Sequence, residues 1–127
     1  MQLPFEIKFH GYLNREQLFD IYKDSHFIIL ASKSEGFPKV ISEGMNFGCV
    51  PLVSAVSCID QYIENNSNGI LIDPISIAGI KEAIMISFGI SDLEYKSMTL
   101  LNYNLAGKFT YSYFLERIQN EIFSRNL

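Results

Sequence analysis

The sequence has no tryptophan, only two cysteines and four prolines in 127 residues, and no excess of basic charge. Each shortage excludes something. Cys49 and Cys58 are too few for a disulfide scaffold. They form no CxxC pair and have no histidine cluster beside them, so a zinc site is unsupported. Both read as reduced, half-buried packing residues. Lys plus Arg is 10 and Asp plus Glu is 14, a net charge of −4. That balance argues against a general nucleic-acid binder, whose electrostatic footprint is basic. Met1-Gln2-Leu3-Pro4 lacks the basic start and apolar run of a signal peptide. The longest apolar stretch, Phe27 to Ala31, is far too short to span a bilayer. A cytoplasmic location is the expectation.

Hydrophobic residues make up 48% and charged residues 19%, which suits one packed domain over residues 1–127 and not a disordered chain. Short apolar runs alternate with helical patterns. Phe5-Glu6-Ile7-Lys8-Phe9 alternates strictly, as a strand with one exposed face does. Asn14 and Gln17 have capping-box spacing, and Leu13 can staple to Leu18. The helix they start should run to about Asp24 with Leu18, Ile21 and Tyr22 inward. Phe27-Ile28-Ile29-Leu30 reads as a strand buried on both faces.

After a loop from Ala31 to Phe37, Pro38 suits the first position of a helix and Gly48 its left-handed stop. Pro51 to Ser54 is the next strand, Cys58 to Glu64 a short helix, and Ile70 to Ile72 the last strand. Three helices follow, capped by Ser76, by Ser91 with Glu94, and by Thr110. The first should bury Ile77, Ile80, Ile84 and Phe88, and the third Tyr111, Phe114, Leu115, Ile118 and Ile122. The aromatic-rich tail from Tyr95 to Phe123 is expected to be chiefly core, with some of it facing a missing partner. The predicted fold class is α/β, a parallel sheet of about four strands flanked by helices.

Open parallel sheets bind ligands outside the carboxyl ends of their strands. The richest such segment is Ser32 to Glu43. Gly36 allows a tight turn and close approach of backbone to ligand. The free N–H groups around Phe37, Lys39 and Val40 can bind a phosphate, but Pro38 has none to offer. Glu43 lies about 6 Å along the helix axis from Lys39, where a carboxylate could accept both hydroxyls of a ribose. Glu35 sits before the helix, within reach of a sugar hydroxyl. The two carboxylates would bracket a nucleotide-sugar and not form a glycosidase pair. Without the surrounding block they would read as solvated carboxylates, and Lys39 as a solvated side chain. His10 and His26 read as packing or capping residues, since no serine or cysteine nucleophile stands beside them in a recognisable motif. No Asp-x-Asp occurs, so neither a metal nor any other cofactor is expected.

Glu35-Gly36-Phe37-Pro38-Lys39-Val40-Ile41-Ser42-Glu43-Gly44-Met45, followed by Gly48-Cys49-Val50-Pro51-Leu52-Val53, resembles the E-x7-E block of glycosyltransferase family 4 (group 1), retaining enzymes of the GT-B fold. Phe9-His10-Gly11-Tyr12-Leu13 is similar to that family's strand and glycine turn beside the base, and Asn68-Gly69-Ile70-Leu71-Ile72 to its final strand. Phe109-Thr110-Tyr111 is similar to the start of its terminal helix. The resemblance implies a Rossmann-like, incomplete GT-B C-terminal domain. It implies Glu35 as the catalytic carboxylate at the donor sugar and Glu43 on the ribose. It places the diphosphate on the backbone of Phe37, Lys39 and Val40, with Gly36 among the donor-binding residues, and the base beside Gly11 and Tyr12.

Within the block, Gly44 and Asn46 stand where alanine is usual, Ser57-Cys58 replaces a Gly-rich turn, and Asp60 replaces Glu. The resemblance implies an acceptor glycan or lipid held by a missing N-terminal domain, and a parent peripheral at the inner face of the membrane. It also puts a basic pair facing the diphosphate outside these residues, so the isolated chain is predicted to be inactive. The strand at residues 5–9 is expected to pair beside Phe27 to Leu30, and free sheet edges leave room for a homodimer. The alternatives are a non-catalytic nucleotide-binding or interaction module and a sugar-nucleotide epimerase of the same fold. A phosphoacceptor receiver domain would need an Asp cluster at the strand ends, and the first two strands end without one.

Overall fold

The computed structural model describes residues 5–123. Helix α1 (Arg15–Asp24) begins with the expected capping box. Gln17 N–H donates to Asn14 Oδ1 at 2.9 Å, and Asn14 N–H donates to Gln17 Oε1 at 3.0 Å. Strand β1 (Phe27–Leu30) follows, then helix α2 (Lys39–Asn46) and strand β2 (Val50–Ser54). Gly48 ends the α2 turn at φ +92°, a conformation in which a Cβ is strained. Strand β3 (Ile70–Ile72) completes a parallel sheet in the order β1-β2-β3. Helices α3 (Ile77–Phe88), α4 (Asp92–Ala106) and α5 (Tyr111–Arg117) finish the described chain, the last continuing into a π-helical turn. Their caps are Ser76, Ser91 with Glu94, and Thr110, as the spacing predicts.

Strand alternation sorts the core into two layers. Ile28, Leu30, Val53 and Leu71 face Ile41 and Met45 of α2, together with Ile59, Ile63 and Ala106. Phe27, Leu52, Ile70 and Ile72 face Ile80 and Ala83 of α3. The register sets Leu30 beside Val53 and Val53 beside Leu71, so each layer runs across all three strands. A buried amide chain ties α4 to the loop before β3. Asn102 Nδ2 donates to the Asn68 carbonyl at 2.8 Å, and Asn68 Nδ2 donates to the Tyr62 carbonyl at 2.8 Å.

The structure differs from the sequence-based expectations in several places. The sheet has three strands, because residues 5–9 form none and lie exposed. An alternating sequence makes a strand only when a neighbour takes its hydrogen bonds, and β1 pairs with β2 alone among the described residues. For the same reason β1 is an edge strand and not buried on both faces: Ile29 is 47% exposed. Cys58 to Glu64 tightens into a single 3-10 turn, Ile59–Gln61. In α3 the buried residues are Gly79 and Ala83, while Ile77 is 88% and Phe88 80% exposed. Of the expected inward set only Ile80 packs on the core; the helix is apolar nearly all round, so periodicity does not single out its buried stripe, and the small residues allow the close approach to the sheet. Tyr111, Phe114, Leu115 and Ile122 are likewise exposed, with only Ile118 half-buried.

Cys58 is half-buried as expected, but Cys49 is fully buried, with its thiol donating to the carbonyls of Tyr22 and Ser25 at 3.4 and 3.5 Å. Burial pushes the Cys49 thiol pKa up. His26 is exposed, with its ring edge-on to Tyr95 at 5.5 Å. Among the described residues no helix is long and apolar enough to cross a membrane.

Candidate functional site

The loop after β1 carries Glu35 at the carboxyl end of that strand, and the helix that follows carries Glu43 one turn in from its start. Glu35 is half-buried, and its Oε1 accepts a hydrogen bond from Ser32 Oγ at 3.0 Å. The S-x-x-E spacing makes this contact readable in sequence, as a short-range side-chain pair. Pro38 is the N-cap of α2, one position earlier than predicted, and has extended backbone at ψ 128°. No side chain caps the helix. The first N–H groups of an α-helix lack intrahelical acceptors, so Lys39 and Val40 present theirs at the loop. A helix start of this kind stabilises an anion by about 0.3 to 1 kcal/mol, or about 2 when partly buried.

Glu43 is set one turn deeper. Lys39 Nζ lies 3.6 Å from Glu43 Oε1, with the lysine side chain 85% and the glutamate side chain 23% exposed. With the lysine this exposed, the pair adds little stability. Its consequence is local: a cation stands beside the uncapped helix start while the carboxylate is held against the protein. Tyr22 of α1 stands behind that carboxylate. Burial first, and then the nearby Glu43 charge, raise the Tyr22 phenol pKa. The tyrosine ring is fixed by Phe47 at 5.9 Å and Phe19 at 6.5 Å. Helical periodicity puts Tyr22 inward but gives no sign that it backs Glu43.

Gly36 needs no positive φ, and a Cβ there would meet nothing within 4 Å. The tight-turn reason for glycine therefore does not hold at this position. What remains is open space over a backbone that a ligand can approach. Gly36→Ala should leave the denaturation midpoint within about 0.5 kcal/mol of the parent. If a ligand fills the space, its affinity should fall several-fold, which titration calorimetry on the same variant measures.

Phe37 turns its ring away from solvent into an aromatic cluster. It stacks on Phe109 at 4.3 Å and 7°, and meets Tyr62 edge-on at 5.1 Å. Neither partner could be found from local sequence. Gly11 has φ +64° and so requires glycine or a residue tolerant of the left-handed region, and the Tyr12 side chain is exposed. Among the described residues no hydrogen bond or ion pair joins Gly11 or Tyr12 to the Glu35–Glu43 block. Thus Ser32 pairs with Glu35 before the α2 start, and Lys39 with Glu43 within α2. Among the described residues no group of three or more His, Cys, Asp or Glu side chains converges as a metal site would need.

The fold is similar to that of sucrose-phosphate synthase from Thermosynechococcus elongatus, with a TM-score of 0.76 at 18% sequence identity. The match covers 93% of this chain and 30% of that one, so this chain spans under a third of that protein's length. The shared architecture is a GT-B Rossmann-like domain, here with a three-stranded parallel sheet. No curated protein matches the sequence significantly. The sequence profile described as Glycosyl transferases group 1 matches residues 2–92, which include β1, the Glu35–Glu43 block, β2 and β3. The chain belongs to the glycosyl transferases group 1 family.

Proposed function

We propose that these residues form the later part of the donor-binding domain of a longer retaining glycosyltransferase. The observation that carries this reading is the uncapped α2 start directly after β1, with Glu35 in the loop before it and Glu43 one turn after it. The helix start and Lys39 would take the diphosphate, Glu43 the ribose hydroxyls, and Glu35 the donor sugar. The Gly11-Tyr12 turn would border the base, and no metal is required by this reading. The acceptor, a glycan or a lipid, would be held by a further domain of the parent, cytoplasmic or peripheral at the membrane's inner face.

Magnitudes set what the chain can do alone. Enzymes lower barriers by about 8 kcal/mol or more. One helix start and two carboxylates fall well short of that, so the rest must come from groups that close over the donor and exclude water. Without them the chain should bind nucleotide and turn over no sugar.

Titration calorimetry with UDP, GDP and ADP tests the binding half. One of them should bind the 127-residue chain with a dissociation constant at or below about 1 mM, the upper end of ordinary substrate affinities. Absence of binding for all three would sink the donor-site reading and favour an interaction module. The apolar side chains exposed on α3 and α5, Ile77, Phe88, Tyr111 and Phe114, are what such a module would use. A homodimer through the free edge of β1 belongs to the same set of expectations, and a monomer mass at every concentration in light scattering would exclude it.

A further inference from the structure

The segment 31–37 that carries Glu35 is weakly tied down by its own residues. Ala31, Lys33, Ser34 and Gly36 are exposed, and the hydrogen bond from Ser32 to Glu35 is internal to the segment. Its firm attachment to the rest of the protein is the Phe37 ring. The two rings that grip it are themselves anchored. Tyr62 sits between the fully buried Ile59 and Ile63, and its carbonyl accepts from Asn68. Phe109 ends a 3-10 turn, Gly107–Phe109, that continues directly from α4, where Ala106 is buried in the same core layer. Tyr62 and Phe109 also meet each other edge-on at 5.1 Å, which closes a three-ring cluster.

We propose that Phe109 is a positioning residue for the donor loop: its ring, stacked flat on Phe37, sets the backbone of residues 35–37 and the entry to α2. This rests on the donor-site reading for its functional consequence, though not for the contact itself. A flat stack at 7° restrains both tilt and rotation of Phe37, and Tyr62 blocks sideways movement. Only two side-chain torsions separate a phenylalanine ring from its backbone, so restraining the ring restrains the backbone of Phe37. The far end of the described chain thereby controls how well ordered the loop is before ligand arrives, and preordering lowers the cost of binding.

The test compares the parent chain with Phe109→Tyr, Phe109→Leu and Phe109→Ala. Three quantities are read: 15N order parameters of the Glu35, Gly36 and Phe37 amides, affinity for UDP, GDP and ADP, and the urea midpoint. The leucine variant keeps most of the volume and loses the flat ring, so it remains informative if the alanine variant fails to fold. The proposal expects lower order parameters in Phe109→Leu and affinity weaker by about two- to tenfold, the range one aromatic pair supports. Phe109→Tyr should restore both. A merely structural role would lower the urea midpoint and leave loop order and affinity unchanged well below it, and that result overturns the proposal. If the parent binds none of the three nucleotides, the donor-site reading fails, while the order parameters still decide whether Phe109 sets the loop.

Discussion

Gly69→Ala should lower stability by about 2 to 3 kcal/mol, the upper part of the range for overpacking a tight core. In a chain of this size that is a fall of roughly 10 °C in Tm. Gly69 is buried just before β3, and a Cβ there would lie 2.7 Å from Ile63 Cγ2, 2.8 Å from the Pro51 carbonyl oxygen and 3.0 Å from Pro51 Cγ. The isoleucine could shift, but it is fully buried in the core layer behind α2. Pro51 cannot move freely either, since it lies in the central strand in register with Ile28. The loop before Gly69 is also committed, with Asn66 at φ +62° and its N–H donating to the Gly69 carbonyl at 2.8 Å. Gly107→Ala is the matched control, because a Cβ at that glycine meets nothing within 4 Å. Urea unfolding of both variants decides the matter. Equal midpoints for Gly69→Ala and the parent would mean that β2 and β3 pack less tightly than described.

Glu43→Gln should weaken nucleoside diphosphate binding by about ten- to a hundredfold. Hydrogen bonds to a charged group contribute about 1.5 to 3 kcal/mol, and each 1.4 kcal/mol is tenfold in affinity. The glutamine keeps the size of the side chain, so the packing around Tyr22 should survive. Stability should change by less than about 1 kcal/mol, because the one ion pair lost involves a lysine side chain that is 85% exposed. Pyrophosphate separates the roles of helix and carboxylate. It has phosphates but no ribose, so its binding at the α2 start should not fall in Glu43→Gln, and loss of a nearby negative charge should raise it slightly. Equal weakening of nucleotide and pyrophosphate would assign Glu43 to the phosphates through Lys39. Unchanged nucleotide affinity would remove Glu43 from the site.

Features that depend on near neighbours along the chain are legible in the sequence itself. The capping boxes at Asn14 and Ser91, the Ser76 and Thr110 caps and the Gly48 stop each rest on contacts within about one turn. The parallel arrangement is also legible, because short apolar runs separated by helical patterns leave few other ways to bury both. Long-range matters are not. Whether residues 5–9 form a strand depends on a partner, and local alternation carries no information about one. The buried stripe of α3 cannot be chosen by periodicity, since Ile77, Ile80, Ile84, Met85, Ile86 and Phe88 surround most of the helix. Only the contact with the sheet selects Gly79 and Ala83.

In the site, the Glu35 to Glu43 block can be read because its members are close along the chain. Their supports cannot. Tyr22 reaches Glu43 from another helix, and Phe109 reaches Phe37 from near the other end of the described chain. The Gly11-Tyr12 turn, assigned to the base by resemblance, is not tied to the block by any hydrogen bond or ion pair among the described residues.

The central claim is that a nucleoside diphosphate binds where β1 ends and α2 begins. Amide chemical-shift mapping with UDP, GDP and ADP locates binding directly. The account predicts that shifts from whichever nucleotide binds concentrate in residues 32–43, largest at Gly36, Phe37, Lys39 and Val40, with smaller changes at Tyr22. Shifts centred on the exposed face of α3, or a spectrum unchanged by all three nucleotides, would contradict it.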